Sequence, residues 1–195
     1  CCQRKKKRNK TMSDITEMIP ESISDIEILE RLTPLQNQSY VLPVGDDETH
    51  ADILERQMLE NVLNGEPDTF LCSELPECVN HYFAPGIYLR ELHMAKGMVV
   101  VGHKHKMETV NILLKGKVAI IEDGKLIYRE APFTYVSPAK HRKALYVIED
   151  VIWQNPHPSD ETNLEKLEDI FIEKSPALME FEKQILEFNE ERKLA

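Results

Sequence analysis

Between residues 80 and 158 the apolar side chains come in short runs, and on either side of that stretch they recur every three or four positions. The runs IYLREL (87–92), MVVV (98–101), VNILL (110–114), KVAII (117–121), KLIYRE (125–130), FTYVS (133–137), ALYVI (144–148) and VIWQN (151–155) are rich in β-branched and aromatic residues. Such runs, separated by turn residues, predict strands. Asp123-Gly124 inside EDGK is the signal of a tight hairpin. Short strands at this spacing predict an antiparallel sandwich or barrel, which also hides the strand edges.

The flanks read as helices. Ser24 with Glu27 three residues on is the capping-box pattern opening 24–32, and Pro34 closes it. Residues 33–48 are polar and turn-rich. In THADILERQMLENVLNG (49–65), Leu54, Met58, Leu59, Val62 and Leu63 form one apolar stripe, and Gly65 and Pro67 supply the stop. After His157, Thr162 and Glu165 read as a further capping box, and Ser175-Pro176 opens a last helix with proline at its first position. Its Leu178, Phe181, Ile185 and Phe188 form a seam for the β unit or for a partner subunit. The expected organisation is a disordered basic tail (1–22), a helical extension (23–79), the β unit (80–158) and carboxy-terminal helices (159–195). The fold class is mainly β with flanking helices.

Charge narrows the partners. The net charge is −10, and six of the 24 basic residues lie in the first ten positions. The remainder carries 18 basic against 34 acidic residues, or −16, and a surface that acidic repels phosphate backbones. Nucleic acid is therefore expected only at the basic tail, if anywhere. No apolar run reaches the roughly 18 to 20 residues a membrane span needs, and the basic start lacks the apolar core of a secretory signal. The first methionine is Met12, which leaves open whether residues 1–11 belong to the working protein. Cys72 and Cys78, six apart, do not have CxxC metal or redox spacing.

The chemistry concentrates in GHKHKMETVNILLKG (102–116). In a strand, alternate side chains face one way, so His103 and His105 would project together, as two imidazoles must to grip one metal ion. Further ligands would come from Glu108, if a bulge shifts the phase, or from His141. Thr109 and Asn111 would line the cavity as hydrogen-bonding groups. His157 ends the last predicted strand and is a weaker candidate. Tyr88, Tyr128, Tyr135, Tyr146 and Trp153 read as core, and Lys140, Arg142 and Lys143 as a solvated basic loop. No nucleophile-base motif and no phosphate-binding glycine loop are present.

Here the chain resembles the cupin superfamily. Gly97, His103, His105 and Gly116 fall at the spacings of its first motif, with Thr109 at the acid position and Glu108 one place early. Its second motif is met at Pro138, while Lys140 stands for the glycine, Lys143 for the histidine, and His141 lies two places short. HYFAPGIYLRELHMAKG, HKMETVNILLKGKV, REAPFTYVSPAKHRKALYVIEDVIWQNPHP and NLEKLEDIFIEKS are similar to small bacteriophage-encoded cupin proteins, over roughly 50–175. The resemblance implies a cupin-type double-stranded β-helix, or jelly-roll barrel. It also implies a divalent metal (Zn, Fe, Ni or Mn) at His103, His105, Glu108 and His141, and a small-molecule ligand. It further implies a homo-oligomer and a place in the host cytoplasm or the virion. The alternative is a non-catalytic scaffold that binds a phage or host protein.

Overall fold

A computed structural model describes residues 2–3, 23–35, 41–43, 45–46, 48–66, 68–70, 76–122 and 125–194. The basic tail beyond Cys2–Gln3, Pro67, Cys72 and the Asp123-Gly124 turn lie outside the described residues. The amino-terminal part holds β1 (Cys2–Gln3), α1 (Asp25–Leu32), α2 (His50–Leu63) and β2 (Thr69–Phe70). A 3-10 turn (Pro76–Cys78) leads into β3 (Val79–Ala84), β4 (Ile87–Met94), β5 (Val99–Val101) and β6 (Lys104–His105). Then follow β7 (Thr109–Glu122), β8 (Lys125–Glu130), β9 (Phe133–Ser137) and β10 (Ala144–Pro158). The chain ends in α3 (Leu164–Phe171), β11 (Ile172–Glu173) and α4 (Pro176–Leu194).

The fold is mainly β with flanking helices, as the jelly-roll expectation has it, and every strand pairing among the described residues is antiparallel. The hydrogen-bonded path runs β2-β1-β5-β10-β4-β3, with β7 joining β10 to β8 and β9. Among the described residues the path does not close on itself, so the jelly roll is wrapped but keeps open edges, unlike the closed barrel expected. The runs at 110–114 and 117–121 are one strand, β7, and those at 144–148 and 151–155 are one strand, β10. β3 fits none of the predicted runs. The register Glu122↔Lys125 bears out the hairpin between β7 and β8.

The long strands stay paired through a bend. Opposite β7, the register of β10 shifts between Val147 and Glu149, again between Glu149 and Ile152, and once more at Trp153. Gly116 faces this irregularity at φ +85, and a Cβ there would sit 2.2 Å from the Asp150 carbonyl oxygen. No side chain fits, because the obstacle is backbone rather than a side chain able to swing away.

Alternation on the bent strands makes two layers. Met94, Met98, Val100, Leu113, Val118, Ile120, Leu145, Val147, Val151 and Trp153 pack inside the jelly roll. Val99, Val101, Ala119, Ala144 and Tyr146 point outward and are covered by Ile28 and Leu32 of α1 and Ala51, Leu54 and Met58 of α2. Both helices start on capping boxes, Ser24 with Glu27 and Thr49 with Asp52. The Thr49 box escapes the sequence pattern because its acid is an aspartate. α3 is capped by Asn163, whose side chain accepts from Lys166 N, so a single N-cap one residue further on replaces the box expected at Thr162.

α2 is buried well beyond its predicted stripe: Asp52, Glu55, Arg56, Gln57 and Glu60 are buried too. Glu60 accepts from Val41 N and Leu42 N, and Gln57 from Leu35 N, which ties the turn-rich segment to the helix. Leu178 and Phe181 of α4 pack against Leu42 and Leu59, with Ile185 alongside, so this seam rests on α2. Phe188, the last of the seam, is exposed. Arg142, expected in a solvated loop, is completely buried and donates to Asp52 Oδ1 (3.0 Å) and Glu55 Oε2 (2.5 Å). Ser175 Oγ donates to the same Glu55 oxygen (2.7 Å), joining the base of α4 to this cluster. None of the described helices is long and apolar enough to cross a membrane.

Two predictions follow from this scaffold. Gly116→Ala combines a left-handed backbone with a collision, and is expected to cost about 3 kcal/mol or more in urea unfolding; unchanged stability refutes the bend as described. The second concerns Asp52. Burial opposes its charge, but the Thr49 hydrogen bonds, Arg142 and Lys104 outweigh burial and lower its pKa. Its stabilisation is therefore present above the unfolded value, near 4, and is lost as pH falls through the lower folded value. Asp52→Asn should cost about 3 kcal/mol at pH 7 and clearly less at pH 3. A gap that does not narrow on acidification counts against the ion cluster.

Candidate functional site: the polar half of the jelly roll

Strand alternation divides the interior into two halves. On β4 the inward residues are Tyr88, Arg90, Leu92 and Met94, and in register with them on β10 stand His157, Asn155, Trp153 and Val151. β3 adds Phe83, His81 and Val79 against Tyr88, Arg90 and Leu92. On β7 the inward residues Thr109, Asn111 and Leu113 face Ser137, Tyr135 and Phe133 of β9. Below Trp153 and Leu113 the lining is hydrocarbon; above them polar side chains stand among the rings of Phe83, Tyr88 and Tyr135.

The polar half is a connected network. Asn111 Nδ2 donates to Thr109 O (2.8 Å) and Ser137 Oγ (3.0 Å). Asn155 Nδ2 donates to Val110 O (3.0 Å) and Asn111 Oδ1 (3.1 Å). Lys143 Nζ donates to that same Asn111 oxygen (3.3 Å) and lies 4.9 Å over the Tyr135 ring. Thr109 and Asn111 are buried on the inward face of β7, a phase that belongs to β7 alone, since residues 106–108 separate it from His105 in β6.

Beside the network stands an aromatic stack. The His157 ring is sandwiched between His105 (5.4 Å between centroids, 19° apart) and Tyr88 (5.7 Å, 20°), with Phe171 at 4.4 Å. Tyr88 stacks in turn on Phe83 and on His81, whose Nδ1 lies 2.8 Å from the Tyr88 hydroxyl. α3 supplies Phe171, and β11 pairs with β6 through Ile172↔His105. Lys106 N donates to Phe171 O, fixing the HKH segment to the carboxy-terminal part.

The predicted metal residues distribute unevenly over this site. His105 lies in β6, which belongs to the small β6–β11 sheet, and His103 lies just before it, outside any strand. Both are half-buried. The Nδ1 atoms of His105 and His141 are buried without a hydrogen-bond partner. Glu108 is exposed on the turn before β7. Lys140, at the position of the motif glycine, adopts φ 62, and its N–H donates to His105 O (2.7 Å). The second-motif turn therefore keeps the left-handed conformation that a glycine would take. Among the described residues no three of His, Cys, Asp and Glu come together to hold a metal ion. The donor set is incomplete among the described residues.

Burial is the main influence on the imidazoles. It pushes His105 down to about 3, helped by His157, Arg90 and Lys143, and His157 down to about 4, helped by Arg90. His103 is held well below its ordinary value by burial, then by Arg90, Arg142 and His105. At neutral pH these rings are uncharged, each able to donate at one nitrogen and accept at the other. The residues that sequence reasoning leaves out of the site are Arg90, Ser137, Asn155 and Phe171. Arg90 had a signal: it sits between Tyr88 and Leu92 on the alternating face of IYLREL.

No protein-family model matches the chain, and no curated protein matches it. Among solved structures it is similar to a cupin-2 domain protein from Shewanella frigidimarina, at 14% identity and TM-score 0.35, covering 42% of this chain and 79% of that one. A cupin superfamily protein from Desulfitobacterium hafniense matches at 16% identity and TM-score 0.35, over 42% of this chain and 78% of its own. An acetylacetone dioxygenase from Acinetobacter johnsonii matches at 11% identity and TM-score 0.35, over 41% and 58%. Likeness at this level says nothing about activity, and the site must be read from its own residues.

Proposed function

We propose that the protein binds a small polar molecule in the polar half of its jelly roll. The observation that carries this is the division of one continuous interior surface. Hydrocarbon fills one end, while Thr109, Asn111, Ser137, Asn155, Lys143 and the neutral His105–His157 pair face one another at the other. The polar groups satisfy one another, which removes the penalty of roughly 1–3 kcal/mol for an unpartnered buried group, and they present a hydrogen-bonding surface that hydrocarbon would not.

Trp153 is the chain's single tryptophan and stands at the border of the two halves, so its fluorescence reports on the site. Titration with a panel of small acids, amides, sugars and nucleosides should give a saturable change with at least one compound. Asn111→Leu/Asn155→Leu removes both partners of the bond between them and also the bonds to Ser137, Lys143 and the carbonyls of Thr109 and Val110, so its binding is compared only once it shows a cooperative thermal transition. It should weaken that compound at least about tenfold. Silence from the whole panel, or equal binding by the variant, rejects the reading.

A divalent metal, zinc, iron, nickel or manganese, is the second reading. It is favoured by the two buried and unpartnered Nδ1 atoms of His105 and His141. Such an ion would supply Lewis acidity toward a bound oxygen. Metal analysis of protein purified without an affinity tag should find an ion that His105→Ala/His141→Ala loses. Equal metal content in both proteins ends this reading.

A further inference from the structure

From the charges inside the jelly roll, and resting on the binding site proposed above, we infer that the ligand carries a compact oxyanion, a carboxylate or a phosphate, held by Arg90 with help from Lys143. Arg90 occupies an inward register position, opposite Asn155 on one side and His81 on the other. It is half-buried, and among the described residues it has no ion-pair or hydrogen-bond partner. The acid next to it, Glu91, points to the outer face, where it pairs with His93 Nε2 at 2.7 Å and accepts from Gln154.

No aspartate or glutamate occupies any inward position of β3, of β4, of β9, of β7 from 109 to 113 or of β10 from 151 to 157. The chain has 34 acidic residues and a net charge of −10, so strands free of inward acids around a guanidinium are a selective arrangement, even with Glu168 of α3 acting on the neighbouring Tyr88. A half-buried guanidinium retains a desolvation cost that an anion can offset, and its fork matches carboxylate and phosphate geometry in two parallel hydrogen bonds. Lys143 approaches the same space from the β9–β10 loop, through its contact with Asn111 Oδ1.

Trp153 fluorescence of the full chain tests this with succinate, glycerol 3-phosphate and the uncharged succinamide, at fixed ionic strength. At least one of the two anions should bind saturably, with succinamide weaker by about tenfold or more. Arg90→Gln should weaken the anion at least about tenfold, Lys143→Gln less, and Arg90→Lys should retain part of the affinity. If Arg90→Gln does not fold, the comparison of wild type with Arg90→Lys decides, because a lost fork still weakens binding. A preference for glycerol 3-phosphate with the same Arg90 dependence supports the inference and identifies the oxyanion as phosphate; a preference for succinate identifies it as carboxylate. If succinamide binds as well as succinate, or the Arg90 variants bind unchanged, the anion assignment falls and the small-molecule site stands. Silence from both anions, while another compound of the wider panel binds, has the same meaning. Silence from every compound overturns both.

Discussion

The antiparallel pairing of β7 with β10, maintained through the bend at Gly116, positions everything else in this protein. Each strand contributes to both halves of the interior. β7 begins with the polar Thr109 and Asn111 and continues into Leu113, Val118 and Ile120; β10 begins with Leu145 and Val147 and ends with Asn155 and His157. Because the strands run in opposite directions, the start of one lies beside the end of the other. The polar ends therefore meet, and so do the apolar stretches. A residue with a side chain at 116 would drive the Asp150 carbonyl away and break that correspondence.

The helical layer explains how cations and acids are sorted across the wall of the jelly roll. Arg142 and Lys143 are neighbours in sequence but face opposite ways. Arg142 turns outward into the carboxylates of Asp52 and Glu55 on α2, while Lys143 turns inward to Asn111. A buried guanidinium needs such partners, since taking the charge out of water costs several kcal/mol. α2 supplies them from a helix whose polar side is buried as thoroughly as its apolar stripe. Two of its acids are thus committed outside the wall.

Much of this was legible in the sequence, and the rest failed for identifiable reasons. The Ser24 box, the helix at 50–63, the proline start of α4 and the alternating runs follow from local rules, and the structure keeps them. Two strand pairs were split at Gly116 and at Glu149-Asp150, because a bend under pairing resembles a turn when partners are unknown. The outward fate of Arg142 depends on α2, some ninety residues earlier, and no local pattern carries that information. His105 pairs with the segment after α3 instead of the main sheet, again a long-range choice. Thr109 and Asn111 share one face of β7, as alternation along a strand requires, but His105, from which that phase is read in the sequence, lies on another strand beyond the break at 106–108. Arg90 obeys the same alternation, but an arginine on a half-polar strand looks solvated until its neighbours in β3 and β10 are known.

The acidity of the whole molecule does not conflict with an anion inside it. At physiological ionic strength the field of exposed carboxylates is screened over a Debye length of about 8 Å, so surface charge slows the approach of an anion more than it weakens the bound state. Among the inward strand positions of the polar half no acid stands beside Arg90, while Glu168 on the covering α3 acts on Tyr88 from outside the strands; the lower effective dielectric there raises the weight of near charges relative to distant ones. The sign of the interior is consequently set by a few inward register positions, not by the overall composition. What repels a phosphate backbone along an extended surface need not repel a single small oxyanion that reaches the polar end of the jelly roll.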